Sequence, residues 1–187
     1  MTTLVYGLAV AGRSTARFLS SRGEQVVLAD DRVSVDHREF AESIGAELLE
    51  GPDAAMACAR RMGEFAQIAP SPGIPESHPV IASALRAKVE LVSEIELAYR
   101  HEQASGSPRP IVAITGTDGK TTTTLMAAAM LSASGHKAAA VGNTETPWVE
   151  VLDEQHTAYA VECSSFRLHY TRDFRAQCCL AQFGSLK

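Results

Sequence analysis

Cysteine is scarce in this chain: four residues among 187. Cys58, Cys163, Cys178 and Cys179 form no C-x-x-C pair, and no histidine stands at zinc-finger spacing from them. That argues against zinc-ribbon and thioredoxin-type chemistry. All four read as buried, reduced, structural residues, which fits a cytoplasmic setting. Long apolar runs are missing too. None approaches the roughly 18 residues of a membrane span, so no membrane partner is expected. Residues 1–6 carry no basic group ahead of their apolar positions, which argues against a secretory leader. Positive charge is in short supply: 17 Lys and Arg against 22 Asp and Glu leave a net charge of −5. Indiscriminate nucleic-acid binding is therefore not expected, although a local anion site remains compatible. No fixed-period repeat or low-complexity segment interrupts the chain.

What is present is an ordinary globular composition, 45% hydrophobic and 21% charged. The length allows one large or two small domains with a real core. Apolar strand-like runs at 4–6, 25–29, 46–49, 65–69 and 89–92 alternate with helix-like segments at 13–21, 36–43, 53–62, 77–87 and 93–101. Gly23 stops the first helix, and Ser77 caps the fourth with Pro79 in its first turn. The stretch 104–110 is small, polar and proline-bearing, and reads as a linker. The alternation then restarts with strands at 111–114, 137–141 and 157–161, a helix at 120–134 and a helical piece at 147–152. Strands separated by helix-length segments predict parallel βαβ units. The expected class is α/β: a Rossmann-like parallel-sheet N-terminal domain over 1–103, then an incomplete P-loop α/β ATP-binding domain over 111–187.

The strongest chemical signal is Gly116-Thr117-Asp118-Gly119-Lys120-Thr121-Thr122. A buried-type strand enters a glycine-bearing turn, and Lys-Thr opens a helix. Such a turn lets backbone N–H groups and the helix N-terminus point at phosphate oxygens. Lys120 can reach a β/γ-phosphate and the Thr121 hydroxyl can ligand Mg²⁺. The fit to G-x-x-x-x-G-K-[ST] is incomplete, because Ile114 stands where the first glycine belongs. A plain tight turn before a helix is the other reading. A second turn, residues 7–12, resembles G-x-G-x-x-G with Ala9 in the middle position. Asp30 lies 18 residues after Gly12, near where a ribose-binding acid is expected. NAD, another nucleotide-bearing ligand and simple helix–strand packing all remain open for this turn.

Taken together, these motifs resemble the Mur ligases. The resemblance rests on the opening turn at residues 6–14 and on Ser71-Pro72-Gly73-Ile74-Pro75, similar to S-P-G-[IV]-P. It also rests on the phosphate loop with Thr123, and on Glu162-Cys163-Ser164-Ser165-Phe166-Arg167-Leu168. The last resembles the E-x-S-S-F-Q-L of the D-glutamate-adding members. Gly142-Asn143 before Pro147 fits the family's G-N-x-x-x-P. The resemblance implies an ATP-dependent amide ligase of peptidoglycan precursor synthesis. ATP would activate the carboxylate of UDP-N-acetylmuramoyl-L-alanine as an acyl phosphate, and the amine of D-glutamate would attack it. It also implies a monomer, and these roles by position. Gly116, Thr117, Asp118, Gly119, Lys120, Thr121 and Thr122 would hold ATP, with Lys120 on the transferring phosphate. Thr121 would ligand a first Mg²⁺ and Glu162 a second, between the phosphate and the acyl group. Asn143 and Ser164 would contact the UDP-sugar near the reacting centre. Ser71 and Gly73 would line the uridine site, and Val10, Ala11, Asp30 and Arg32 would surround uracil and the diphosphate.

Several positions depart from the family pattern. Ala9 and Ala11 replace a glycine and a small hydroxyl residue, and Thr144-Glu145-Thr146 replaces I-G-x. Arg167 replaces the usual glutamine and is read as a phosphate partner or an exposed helix residue. Lys88, His136 and His169 are read as surface or structural residues. In the family a D-H-bearing segment, a carbamylated lysine and a third domain follow, whereas residues 181–187 do not match it. The chain is therefore expected to be an N-terminal fragment that does not ligate alone. The alternatives are a nucleotide-sugar binding module, another P-loop transferase or kinase, and a Mur or folylpolyglutamate synthase-type ligase of different amino-acid specificity.

Overall fold

The computed structural model describes residues 1–51 and 53–182. The reading of 181–187 as unlike the family lies, from 183 onward, outside them. Contacts divide the chain into two compact units, Met1–Ser93 and Glu94–Lys187.

The first unit is built on β1 (Thr2–Tyr6), a strand of β-branched and apolar residues. Its positions 3–6 are all buried, as expected of a parallel strand covered on both faces. Beside it lie β2 (Gln25–Ala29), β3 (Glu47–Leu49), β4 (Gln67–Pro70) and β5 (Glu90–Leu91), in the order β3-β2-β1-β4-β5 and all parallel. This order is that of a Rossmann half-fold extended by two strands. Helices α1 (Val10–Ser21), α2 (Val35–Ser43), α3 (Ala54–Arg60) and α4 (Pro79–Ala87) make the crossovers. Leu4, Tyr6, Val27, Ile68, Val80 and Ile81 centre the core. Ser34 caps α2 reciprocally: its hydroxyl accepts the His37 N–H, and the His37 ring accepts the Ser34 N–H.

Two local expectations change. Helix α1 begins at Val10, not at residue 13, because the turn after β1 is only Gly7-Leu8-Ala9. The cap of α4 is His78 rather than Ser77; its Nδ1 accepts the Val80 N–H at 3.4 Å.

The second unit begins with α5 (Glu94–Ala104). Its sheet contains β6 (Ile111–Gly116), β7 (Ala138–Gly142), β8 (Ala158–Glu162) and β9 (Cys178–Gln182), all parallel in the order β7-β8-β6-β9. Helix α6 (Lys120–Ala133) follows β6, and the short α7 (Ser165–His169) follows β8. The helical piece expected at 147–152 is a single 3-10 turn, Trp148–Glu150, entered directly from Pro147. Cys58 and Cys163 are buried as expected, but Cys178 and Cys179 are exposed. Among the described residues β9 pairs with β6 alone, at the edge of the sheet.

Three carboxylates of α5 are buried in this unit: Glu94, Glu96 and Glu102. Each holds a separate piece of chain. Glu96 accepts the N–H groups of Arg172, Asp173 and Phe174 at 3.0–3.1 Å, together with Arg100 Nε. Glu102 accepts Arg109 through its backbone N–H, Nε and Nη2 at 2.7–2.9 Å. The same guanidinium donates to the carbonyls of Leu152 and Glu154, and lies 4.7 Å from the centre of the Tyr159 ring. Glu94 accepts the Val149 N–H at 2.9 Å and pairs with Arg167. Charge-assisted bonds from Arg109 outweigh the cost of drying Glu102, whereas burial still pushes the Glu94 carboxyl up despite Arg167 and the Val149 N–H.

Two consequences are measurable. Burial pushes the Glu102 carboxyl up, but the bonds from Arg109 outweigh it and hold the group below its ordinary range. A depressed carboxyl stabilises the fold above its unfolded pKa. Stability should therefore fall as the pH drops below about 4.3 and through the lower folded value. Arg109→Gln should cost about 3 kcal/mol near neutrality and flatten that acid slope in urea melts taken across the pH range. In the first unit, a Cβ on Gly12 would lie 1.9 Å from the Gly7 carbonyl oxygen. Gly12→Ala should therefore destabilise that unit by at least about 2 kcal/mol in the same measurement.

Candidate functional site

Strand β6 delivers the glycine turn of the second unit. Gly116 has φ 141° and Gly119, the residue capping α6, has φ 73°. Both lie in the region that side-chain-bearing residues avoid. No side chain caps α6 and no acid occupies its first turn. The N–H groups at its start thus face no built-in carboxylate. Thr117, Asp118, Thr121 and Thr122 are exposed around this end. The Lys120 ammonium folds back and donates to the carbonyls of Gly116 and Thr117, both at 2.9 Å. The lysine and the loop it would serve are thus already one assembly.

Parallel register brings two more elements level with this turn. Glu162 ends β8 and stands opposite Ile114 of β6 and Gly142 of β7. Gly142 permits this approach, since a Cβ there would lie 2.5 Å from the Glu162 carbonyl oxygen. Asn143 follows at once. Its N–H donates to the Glu162 carbonyl at 2.9 Å and its Nδ2 to Glu162 Oε1 at 3.0 Å. Glu162 is 1% exposed, and its Oε2 has no hydrogen-bond partner among the described residues. A dry carboxylate oxygen without a donor is costly unless a cation or a polar ligand completes it.

No cluster of three or more His, Cys, Asp or Glu side chains able to hold a metal occurs among the described residues. Mg²⁺ does not require one. It is commonly bound by one or two carboxylates with phosphate oxygens and water. The residues therefore fit Mg²⁺ when a nucleotide shares its coordination.

Ser164 caps α7, its Oγ accepting the Arg167 N–H at 3.3 Å. Neither reading of Arg167 from sequence holds. The residue is 6% exposed and its side chain faces the Glu94 carboxylate, so it is neither a phosphate partner nor a surface residue. The cause is a buried acid 73 residues earlier in the chain. Cys163 beside Glu162 is inert: burial pushes its thiol up to about 12. Thr144 and Thr146 close their own turn, leaving Glu145 exposed.

In the first unit the predicted residues gather at the carboxyl edge of the sheet, after β1, β2 and β4. Gly7 has φ 93° and donates to the Ala29 carbonyl at 2.8 Å. Asp30 braces the turn, accepting the N–H of Leu8 at 2.7 Å and that of Arg32 at 2.9 Å. Ser71 is buried and donates to the Gly7 carbonyl at 2.8 Å, so its hydroxyl ties two loops together. Val10, Arg32 and Gly73 are exposed, and Ala11 is half-buried at the uncapped start of α1.

Sequence reasoning missed Asp31. Its carboxylate accepts Tyr6 Oη at 2.6 Å and meets His78 Nε2 at 3.1 Å, with the two rings 5.0 Å apart. Burial, reinforced by Asp31, holds the Tyr6 hydroxyl far above its ordinary range, so it stays a donor. The available signal was the acid pair at the end of β2 together with His78-Pro79.

Comparison with known proteins agrees with this layout. The family described as Mur ligase MurD-like, N-terminal domain, matches residues 1–93. The Mur ligase middle domain matches residues 114–179. The chain is 38% identical to the UDP-N-acetylmuramoylalanine--D-glutamate ligase of Syntrophus aciditrophicus over 175 residues, 92% of this chain and 38% of that protein. It is 40% identical to the protein of the same name from Pelobacter propionicus over 178 residues, again 92% of this chain and 38% of the relative. The chain thus spans well under half the length of these relatives. Among solved structures, a murein peptide ligase from Psychrobacter arcticus superposes with a TM-score of 0.55 at 18% identity. That match covers 98% of this chain and 43% of the other, and it supports the fold. With these matches lying on both units and on the turns described above, the chain belongs to the Mur ligase family.

Proposed function

We propose that this chain carries the UDP-sugar-binding domain and part of the ATP-binding domain of a ligase that joins D-glutamate to UDP-N-acetylmuramoyl-L-alanine. The observation that carries this reading is Glu162. Its buried, half-satisfied carboxylate lies level with the end of the strand that feeds Gly116–Lys120. A nucleotide-sugar binding module without turnover has no use for such a group. The reading also takes the protein as a cytoplasmic monomer with no nucleic-acid or membrane partner. Among the described residues no helix is long and apolar enough to cross a membrane.

In this reading the γ-phosphoryl group of ATP passes to the alanyl carboxylate, and ADP leaves. The amine of D-glutamate then attacks the acyl carbon, loses a proton, and expels phosphate. Such transfers depend on positioning and charge neutralisation more than on covalent help from the protein. Lys120 exchanges its two carbonyl partners for phosphate oxygens, with the backbone donors of the turn and the start of α6 beside it. One Mg²⁺ at the Thr121 hydroxyl and a second at Glu162 would neutralise phosphate charge. Asn143 keeps one oxygen of Glu162 engaged and so fixes which oxygen faces the site. At the first unit, the N–H groups at the start of α1 and Arg32 meet the diphosphate, with Gly73 on the uridine side.

Calorimetry on the 187-residue chain tests both units. Lys120→Ala should weaken ATP binding in Mg²⁺ at least tenfold, and Glu162→Gln should remove most of the Mg²⁺ dependence. Neither should alter binding of UDP-N-acetylmuramoyl-L-alanine to the first unit by more than about twofold, since sites without shared partners behave independently. ATP binding that is indifferent to both substitutions would refute the assignment.

A further inference from the structure

The buried acids of α5 do not all serve the same end. Glu96 and Glu102 fasten segments that lack any residue of the candidate site. Glu94 differs. Its Oε1 accepts the Val149 N–H, six residues after Asn143, and its Oε2 meets Arg167, five residues after Glu162. One carboxylate therefore grips both chain segments that leave the Asn143–Glu162 pair.

We propose that the Glu94–Arg167 ion pair is the positioning element of the Glu162 site, coupling the Asn143 loop to the Ser164 loop.

Three observations support this. Glu94 and Arg167 are 5% and 6% exposed, so the link is shielded from water. Arg167 Nε is buried without a hydrogen-bond partner among the described residues. An apolar pair of the same volume would fill this space without an unpaired donor, and a buried ion pair seldom adds net stability over such a pair. Stability alone therefore explains the pair poorly, whereas fixing one arrangement of two loops explains it directly. Lastly, the Ser164 hydroxyl caps α7 by accepting the N–H of Arg167 itself. The residue that pins α7 thus also orients the serine two residues after Glu162. The metal-binding part of the proposal rests on the reading of Glu162 as a Mg²⁺ ligand; the coupling of the loops does not.

The test compares the wild-type chain with Arg167→Met, which keeps bulk and removes the link. Amide exchange by NMR should quicken at least tenfold at Asn143, Val149, Cys163 and Leu168 together, with the α6 amides within twofold of wild type. Affinity for Mn²⁺ with ATP should fall at least fivefold in the folded variant. Exchange that quickens only within α7, or nowhere, overturns the coupling. Faster exchange with unchanged affinity leaves the pair a merely structural role and also overturns the proposal. Should Arg167→Met fail to fold, Glu94→Gln keeps the Val149 bond and removes the charge. It should show both changes at threefold or more, and wild-type behaviour overturns the proposal. If the wild-type chain binds no Mn²⁺ with ATP, the function proposed above fails, and the exchange pattern alone decides the coupling.

Discussion

In a sheet whose strands all run one way, every strand ends on the same edge and every return crosses a face. Both units obey this constraint, and the placement of every candidate residue follows from it. In the second unit the register aligns Ile114, Glu162 and Gly142, so three separate loops open side by side. In the first unit the turns after β1, β2 and β4 meet in the same manner, joined by Ser71 and Asp30. Glycine appears where backbones must touch: Gly12 against Gly7, and Gly142 against Glu162. Such sites lie where open parallel sheets usually place them.

The second unit adds a less common device. A helix with three buried carboxylates is expensive by desolvation, and each acid is answered by donors from outside the helix, Glu94 and Glu96 from distant chain and Glu102 from Arg109 seven residues on. The donors come from the segments around 109, 149 and 172–174 and from the short α7 rather than from strands. Loops seldom bury enough apolar surface to order themselves, and charge-assisted bonds to a rigid helix do that work here. This is why α5 packs as part of the second unit, ahead of the proline-bearing stretch that reads as a linker in the sequence.

Much of this was legible in the sequence because it is local. Strand and helix alternation, the two glycine turns and Pro79 at the start of α4 depend on neighbours a few residues apart, and they occur where expected. What escaped was set by tertiary partners. Ser77 is a better cap than His78 by type, yet His78 is held by Asp31 from another loop. Arg167 reads as a surface or ligand residue until Glu94 is placed against it. Cys178 and Cys179 look apolar enough to be buried, but among the described residues strand order, which no local pattern encodes, puts them at an edge. For the site, residue types were readable and their tasks less so: Asp30 and Ser71 spend hydrogen bonds bracing their own turns.

The folded-back Lys120 has a bearing on selectivity. Its ammonium already rests on two carbonyl oxygens, so an incoming anion must compete with the loop itself. A polyphosphate with its cation brings several charges and reaches the turn's N–H groups in the same step. In the function proposed above, the loop would act as a threshold as well as a cradle, admitting ligands by how much charge they concentrate in one place.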